Sequence, residues 1–205
     1  MSRREYFNGM AATWDGLYLP PDLDDFLRAL VPRFGLKFGQ GVLDLGTGTG
    51  VLIPHLLSAV GPSGSVIAVD FAERMAVFSK SKHSHTRNLE ILLGDAEALG
   101  FRGGSFDAVT CLGLIPHLQD REKALSEVNR VLRPAGRLIV AHALGSAQVE
   151  AHHRAAGAVV AGDVMPNEPE MRKLLSNAGF KADLVEDRLG CYLCLATKQA
   201  TWKQA

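Results

Sequence analysis

The stretch VLDLGTGTG, Val42 to Gly50, constrains the fold more than any other part of this chain. An apolar run of the kind buried on both faces of a strand leads into three alternating glycines. A carboxylate, Asp44, stands just in front of them. Alternating glycines let backbone N–H groups and the N-terminus of a following helix approach a ligand closely. Strand, glycine turn and helix in that order open a βαβ unit and hence a parallel sheet.

The remaining sequence repeats the alternation. Asp22 can cap a first helix running to about Phe34, with Leu23, Phe26, Leu27 and Leu30 as its apolar stripe. Strand one is read from Gly41 to Leu45. After the glycines Leu52, Ile53, Leu56 and Leu57 mark a helix, with Pro54 in its first turn. Strand two is Ser65 to Asp70, followed by a helix from Glu73 to Lys80. Strand three is Glu90 to Leu93, and strand four Phe106 to Leu112. Asp120 caps a helix carrying Ala124, Leu125, Val128, Val131 and Leu132. Pro134-Ala135-Gly136 reads as a turn before strand five, Arg137 to Ala141. Asn167-Glu168-Pro169-Glu170 is a strong helix start, ending at Gly179. Two last strands, Phe180 to Glu186 and Cys191 to Thr197, should pair antiparallel.

Composition sets the scale of this arrangement. With 205 residues, 47% of them hydrophobic and 21% charged, one α/β domain has room for a real core. The expected division is an N-terminal lid or helical segment over 1–38, a cofactor-binding half over 39–145, and a substrate-side helix with a hairpin over 146–205. Lys+Arg and Asp+Glu balance at 22 each, which disfavours nucleic acid and membrane surfaces as partners. The charged start MSRREYFNGM has no apolar signal core, and the 3 cysteines suit a reducing compartment, so a cytoplasmic location is expected.

The acid before the glycines selects the ligand. Dinucleotide loops read G-x-G-x-x-G, whereas Gly46, Gly48 and Gly50 give G-x-G-x-G with Val51 at the helix-packing position. A pyrophosphate would also face Asp44. Two such charges about 4–5 Å apart repel by roughly 3–4 kcal/mol at an effective dielectric near 20. That disfavours an NAD(P) oxidoreductase. S-adenosylmethionine brings an ammonium and a sulfonium for the acid, and a carboxylate for the loop amides. Asp70, about 20 residues past the loop, can take both ribose hydroxyls or else cap the next helix. Asp95, in Gly94-Asp95-Ala96 after strand three, can meet the exocyclic adenine amine or remain a solvated loop acid.

VLDLGTGTG, VIAVDFAERM, LLGDAEALGF, FDAVTCLGLIPHL and NRVLRPAGRLIVAH closely resemble, in order, the five motifs of class I S-adenosylmethionine-dependent methyltransferases. The opening YFNGMAATWD resembles the ubiquinone/menaquinone-biosynthesis-like subgroup. The resemblance implies a Rossmann-like doubly wound α/β fold, with a seven-stranded sheet in the order 3-2-1-4-5-7-6 and the last strand antiparallel. It implies that Asp44 holds the methionine ammonium, and that Gly46, Thr47, Gly48 and Gly50 line the methionine and ribose. Asp70 would bind the ribose, Phe71 and Met75 the adenine face, and Asp95 with Ala96 the adenine edge. Cys111 and Leu112 would border the sulfonium, with His117 just beyond. The implied reaction is C- or O-methylation of a small-molecule acceptor, releasing S-adenosylhomocysteine.

Further residues have two readings each. Tyr6, Phe7 and Trp14 either form a lid over cofactor and substrate or pack as a helix on the sheet. Cys191 and Cys194 lie three apart on a strand and so face opposite sides, which argues for core packing over chelation. His55, His83 and His85 are expected on surfaces with no role beyond solubility. His142 follows strand five at the ligand end of the sheet. His152 and His153 lie on a segment from Ser146 that can form a helix over the pocket. Adjacent helical residues point about 100° apart, so one of the pair can join His142 facing inward. Either His142 caps the strand end and the pair is solvated surface, or these histidines, with His117, serve as a general base, contact the acceptor, or hold a metal. No dedicated metal site is expected. Methylation of a metalloid or metal-held substrate, and a non-catalytic S-adenosylmethionine sensor, are the alternatives, and a homodimer is compatible with either.

Overall fold

A computed structural model describes residues 1–200 of the chain. Seven strands form one sheet: β1 (Gly41–Leu45), β2 (Ser65–Asp70), β3 (Leu89–Leu93), β4 (Phe106–Leu112), β5 (Leu132–His142), β6 (Phe180–Arg188) and β7 (Cys191–Lys198). Their order is β3-β2-β1-β4-β5-β7-β6, as the sequence motifs imply. β1 to β5 pair in parallel, and β7 runs antiparallel between β5 and β6. The chain reverses its direction of winding between β1 and β4, so those two strands part at their carboxyl ends and leave a crevice.

Strand alternation divides the core. Leu43, Val109, Leu138 and Val140 point to one face, against α6 (Arg121–Val131) and α8 (Glu168–Asn177) through Leu125, Val128, Met171 and Leu175. Val42, Val66, Ala108 and Ile139 point to the other, against α3 (Leu23–Leu30) and α4 (Ile53–Val60) through Leu27, Leu30, Leu56 and Val60. Cys191 belongs to this second cluster and Cys194 to the first, so the two thiols are on opposite faces as expected.

Local chemistry fixes the helix starts. Asn167 accepts from Glu170 N and Glu170 from Asn167 N, the reciprocal cap legible in the sequence. Asp120 accepts from Lys123 N at 2.9 Å. Asp22 makes no capping bond; instead the Pro20 carbonyl takes Leu23 N–H at 3.1 Å, and the expected single helix to Phe34 tightens into a 3-10 turn over Val31–Phe34. The turn expected at Pro134 is also corrected. Leu132 already pairs with Phe106, and Arg137 pairs with Ala108, so residues 133–136 bulge out of a longer β5. Ala135 sits there in the left-handed region, at φ 59°. Pro134 lacks a backbone donor, and a bulge is one of the few strand settings that tolerates it.

Two elements roof the crevice. α1 (Arg3–Met10) and α2 (Trp14–Tyr18) lie over the start of α5 (Glu73–Lys82), where Phe7 packs with Tyr6, Trp14, Phe71, Ala72 and Met75. α7 (Ser146–Ala155) closes the other side.

Candidate active site

A cavity opens at the carboxyl ends of β1, β2, β4 and β5. Its floor is the glycine loop after β1. Gly46, Gly48 and Gly50 have φ of 67°, 55° and 86°, values that L side chains rarely adopt. Gly48 faces open space: a Cβ built there meets nothing within 4 Å among the described residues. At Gly50 a Cβ would lie 2.5 Å from Ser79 Oγ and 2.9 Å from His83 Nε2. His83 was expected to be a surface residue with no such role. Its Nε2 instead lies 3.1 Å from the Gly50 carbonyl, and burial lowers the ring's basicity.

Two buried carboxylates face the loop. Asp44 is 1% exposed, and its Oδ1 accepts from Thr110 Oγ1 at 2.7 Å. Its Oδ2 and the nearby Thr47 Oγ1 have no hydrogen-bond partner among the described residues. Burial pushes the Asp44 carboxyl up to about 6, against the nearby hydroxyls of Thr110 and Thr47 that pull it down. Asp70 ends β2 and accepts from Gly48 N at 2.8 Å and Ala72 N at 2.9 Å. It therefore ties the glycine loop to the start of α5, whichever ligand hydroxyls it also takes. Burial raises its carboxyl too, against those backbone bonds.

Most of the residues singled out from sequence converge on this cavity. Asp44, Gly46, Thr47, Gly48, Asp70, Phe71, Met75 and Leu112 line it. Asp95 and Ala96 line a second cavity, which shares Gly46, Phe71, Leu114 and His117 with the first. Two placements differ. Gly50 packs under Ser79 and His83 rather than in the wall. Cys111 is 2% exposed and lies in the core behind the wall, lining neither cavity. Strand alternation explains this, since Leu112 and Thr110 take the flanking positions.

Tyr6, Trp14, His117, His142, His152 and His153 line the first cavity as well. Of the adjacent pair on α7, His153 is buried and His152 exposed at the rim. His142 Nδ1 accepts from Leu144 N at 3.0 Å, and burial depresses the ring to about 3. Among the described residues no group of three or more His, Cys, Asp or Glu is placed to hold a metal ion.

Residues 43–140 match the methyltransferase domain family. Over those residues the chain resembles S-adenosylmethionine-dependent methyltransferases. It is 37% identical over 116 residues to the ubiquinone/menaquinone biosynthesis C-methyltransferase of Hahella chejuensis, covering 55% of this chain and 47% of that one. It is 38% identical over 141 residues to the demethylmenaquinone methyltransferase of Lactococcus lactis, covering 66% and 56%. The chain thus spans about half the length of the curated relatives it matches. Among solved structures, a methyltransferase of Aquifex aeolicus aligns at TM-score 0.75 and 24% identity over 96% of this chain and 99% of the other. A chain from the Haloferax volcanii complex of the Trm112 methyltransferase activator with a putative methyltransferase aligns at 0.84 and 21%, over 98% and 100%. At these identities the structures speak for the fold alone.

The methyltransferase domain's cofactor is S-adenosylmethionine, and the cavity fits it. An ammonium beside Asp44 Oδ2 gives that buried oxygen the partner it lacks, and neutralises a carboxylate that burial otherwise disfavours. Open space over Gly48 is where backbone can approach a ligand most closely. The second cavity, with Asp95 and Ala96, offers room for the adenine end.

Sequence reasoning missed Asp163, Thr110 and His83. Thr110 was findable in principle, since its register opposite Asp44 follows from pairing β1 with β4. Asp163 gave no local signal. It sits between α7 and α8 with no motif around it.

Proposed function

We propose that this chain transfers a methyl group from S-adenosylmethionine to carbon or oxygen of a small, largely apolar ring acceptor. The observation that carries this reading is one cavity lined both by Asp44, a buried carboxylate with one oxygen lacking a hydrogen-bond partner among the described residues, and by a cluster of histidines. The two quinone-pathway relatives, both methyltransferases by name, favour a ring acceptor of that kind. The whole of 1–205 is read as one catalytic unit.

Bound S-adenosylmethionine supplies an electrophilic methyl group, so the protein's contribution is mostly to hold acceptor and donor in line. Asp44, Thr47 and Gly48 would hold the methionine end, Asp70 the ribose, and Phe71, Met75, Asp95 and Ala96 the adenine. Tyr6, Phe7 and Trp14 roof the acceptor space and exclude water from it. His117, His142, His152 and His153 are the polar groups of that space. The test is transfer of isotopic methyl from S-adenosylmethionine into a fractionated cell extract. A labelled small molecule that appears only with active protein supports the reading; binding of the cofactor with no labelled product from any extract fraction sinks it.

A further inference from the structure

Beyond α7 the chain returns at Asp163 to the cavity residues His117 and His153, and the Asp163 side chain is 2% exposed. It accepts from His117 Nδ1 at 2.7 Å and from the Arg3 guanidinium of α1. Its backbone carbonyl accepts from His153 Nδ1, also at 2.7 Å. One residue thus engages Nδ1 of two cavity imidazoles, whose ring centres are 4.8 Å apart.

These partners fix the tautomers. A carboxylate or carbonyl can only accept, so His117 and His153 carry their protons on Nδ1 and keep a lone pair on Nε2. His142 is the reverse: its Nδ1 accepts from Leu144 N–H, so the neutral ring carries its proton on Nε2. All three rings line the one cavity, so two ring lone pairs and one ring N–H are on offer to a molecule bound there. A saturated, hydroxyl-free molecule has no use for that pattern. A molecule with an acidic O–H beside a second oxygen matches it.

We propose that His117, oriented by Asp163, is the general base for an acceptor bearing an ionisable hydroxyl on an sp2 carbon, a phenol or enol, whose neighbouring oxygen accepts from His142 Nε2–H. The proposal rests on the methyltransferase reading above. The hydroxyl proton passes to His117 Nε2, and the O–H electron pair stays with the acceptor. That pair, on oxygen or delocalised onto ring carbon, bonds to the methyl carbon as the carbon–sulfur pair returns to sulfur. Asp163 balances the imidazolium that forms. A phenol or enol is favoured over an alkyl alcohol because its proton lies far closer in acidity to the imidazolium that forms.

The electrostatic surroundings suit a neutral base at rest. Burial lowers the basicity of His117, and the bond to Asp163 opposes it. Arg3 of α1 and Arg121 of α6 carry positive charge near Asp163, while His142 of β5 and His152 and His153 of α7 complete the set around the ring. Asp163 is a positioning residue, since it acts on the acceptor only through His117. Its place between Arg3 and His117 also makes the seating of α1 a condition for the base being held.

Two measurements test this. Long-range 1H–15N spectra of the histidine-labelled, cofactor-free protein should show His117 with its proton on Nδ1. 4-Nitrophenol, added with S-adenosylhomocysteine, should bind with about tenfold more of its coloured anion at a given pH than in water, as expected beside a group that takes its proton. Asp163→Asn and His117→Gln should return the probe to its behaviour in water, and Asp163→Glu should recover part of the difference. A proton on His117 Nε2 in the unaltered protein, failure of the probe to bind, or a bound probe titrating as in water overturns the proposal. Failure of the unaltered protein to bind S-adenosylhomocysteine would instead sink the methyltransferase reading, while the spectra still decide the dyad.

Discussion

Thr110 stands directly across from Asp44 on the neighbouring strand and donates to its Oδ1 at 2.7 Å, leaving Oδ2 as the oxygen with no hydrogen-bond partner among the described residues. The pair sits where the sheet splits, so a residue from β4 decides which half of a β1 carboxylate is left for a ligand.

One consequence is pH-dependent cofactor binding. Burial raises Asp44 from 3.8 to about 6, so the ligand-free fold favours its neutral form. The contribution of this group to stability is then full below about 3.8 and is lost as pH rises through about 6. A ligand ammonium prefers the ionised form and should restore what is lost. Affinity for S-adenosylmethionine should fall by about tenfold between pH 7 and pH 5, by linkage to a group near 6. His142, depressed to about 3, stays neutral across that window and does not blur it. Calorimetry over the range checks this. Asp44→Asn should bind weakly with little dependence on pH, and a steep dependence kept in that variant would assign the titration to another group.

Asp70 has two duties, and its removal should show both. Asp70→Ala takes away the acceptor of Gly48 N–H and Ala72 N–H, and with it the proposed ribose contact. Hydrogen bonds to charged groups are worth about 1.5–3 kcal/mol, so cofactor affinity should drop by roughly tenfold or more. The melting temperature should drop as well, because the loop is untied from α5. Unchanged affinity in a folded variant would remove Asp70 from the site.

The glycines of the loop should separate by what lies around them. Gly48→Ala meets open space but a φ of 55°, which costs a side-chain residue about 1–2 kcal/mol. The fold should survive, with binding weakened because the new methyl group occupies the ligand's approach. Gly50→Ala adds a clash with Ser79 and His83 to a φ of 86°, so it should lower the melting temperature more. Thermal unfolding of the two variants side by side decides the order. Equal losses would mean that Ser79 and His83 yield easily.

What the sequence made legible follows from which interactions are local. β1 and β2 were read to the residue because apolar runs buried on both faces end at glycines or at Asp70. The cap at Asn167 needs only residues three apart. The bulge at residues 133–136 was read as a turn because Pro and Gly signal both; only pairing with β4 distinguishes them. Cys111 looked like pocket lining because it stands next to the end of β4, yet its side chain falls on the core face. Asp163 lies 46 positions from His117, and no spacing rule connects a loop acid to the short 3-10 turn Ile115–His117 across a fold. The cofactor half was therefore largely legible, and the polar partners of the acceptor half were not.

His142 and His153 carry the last prediction. His142 ends β5, and its imidazole is held through Nδ1 by Leu144 N–H; His153 is held through Nδ1 by the Asp163 carbonyl. Neither bond reaches the glycine loop, Asp44 or Asp70, so each ring can be lost without disturbing the cofactor's proposed contacts. If they serve the acceptor, His142→Ala and His153→Ala should keep S-adenosylmethionine affinity within about threefold while methyl transfer falls by roughly 10²-fold, the scale of a lost acid–base contribution. The two should also differ. His142 offers an N–H, so His142→Gln, which keeps a donor, should recover part of the rate. His153 offers a lone pair beside His117, so the loss in His153→Ala should come with a change in how the rate depends on pH. Isothermal titration for the cofactor and timed label transfer to the identified acceptor separate the two effects. Full activity in both alanine variants would make these rings wall rather than machinery, and would leave His117 alone to handle the proton.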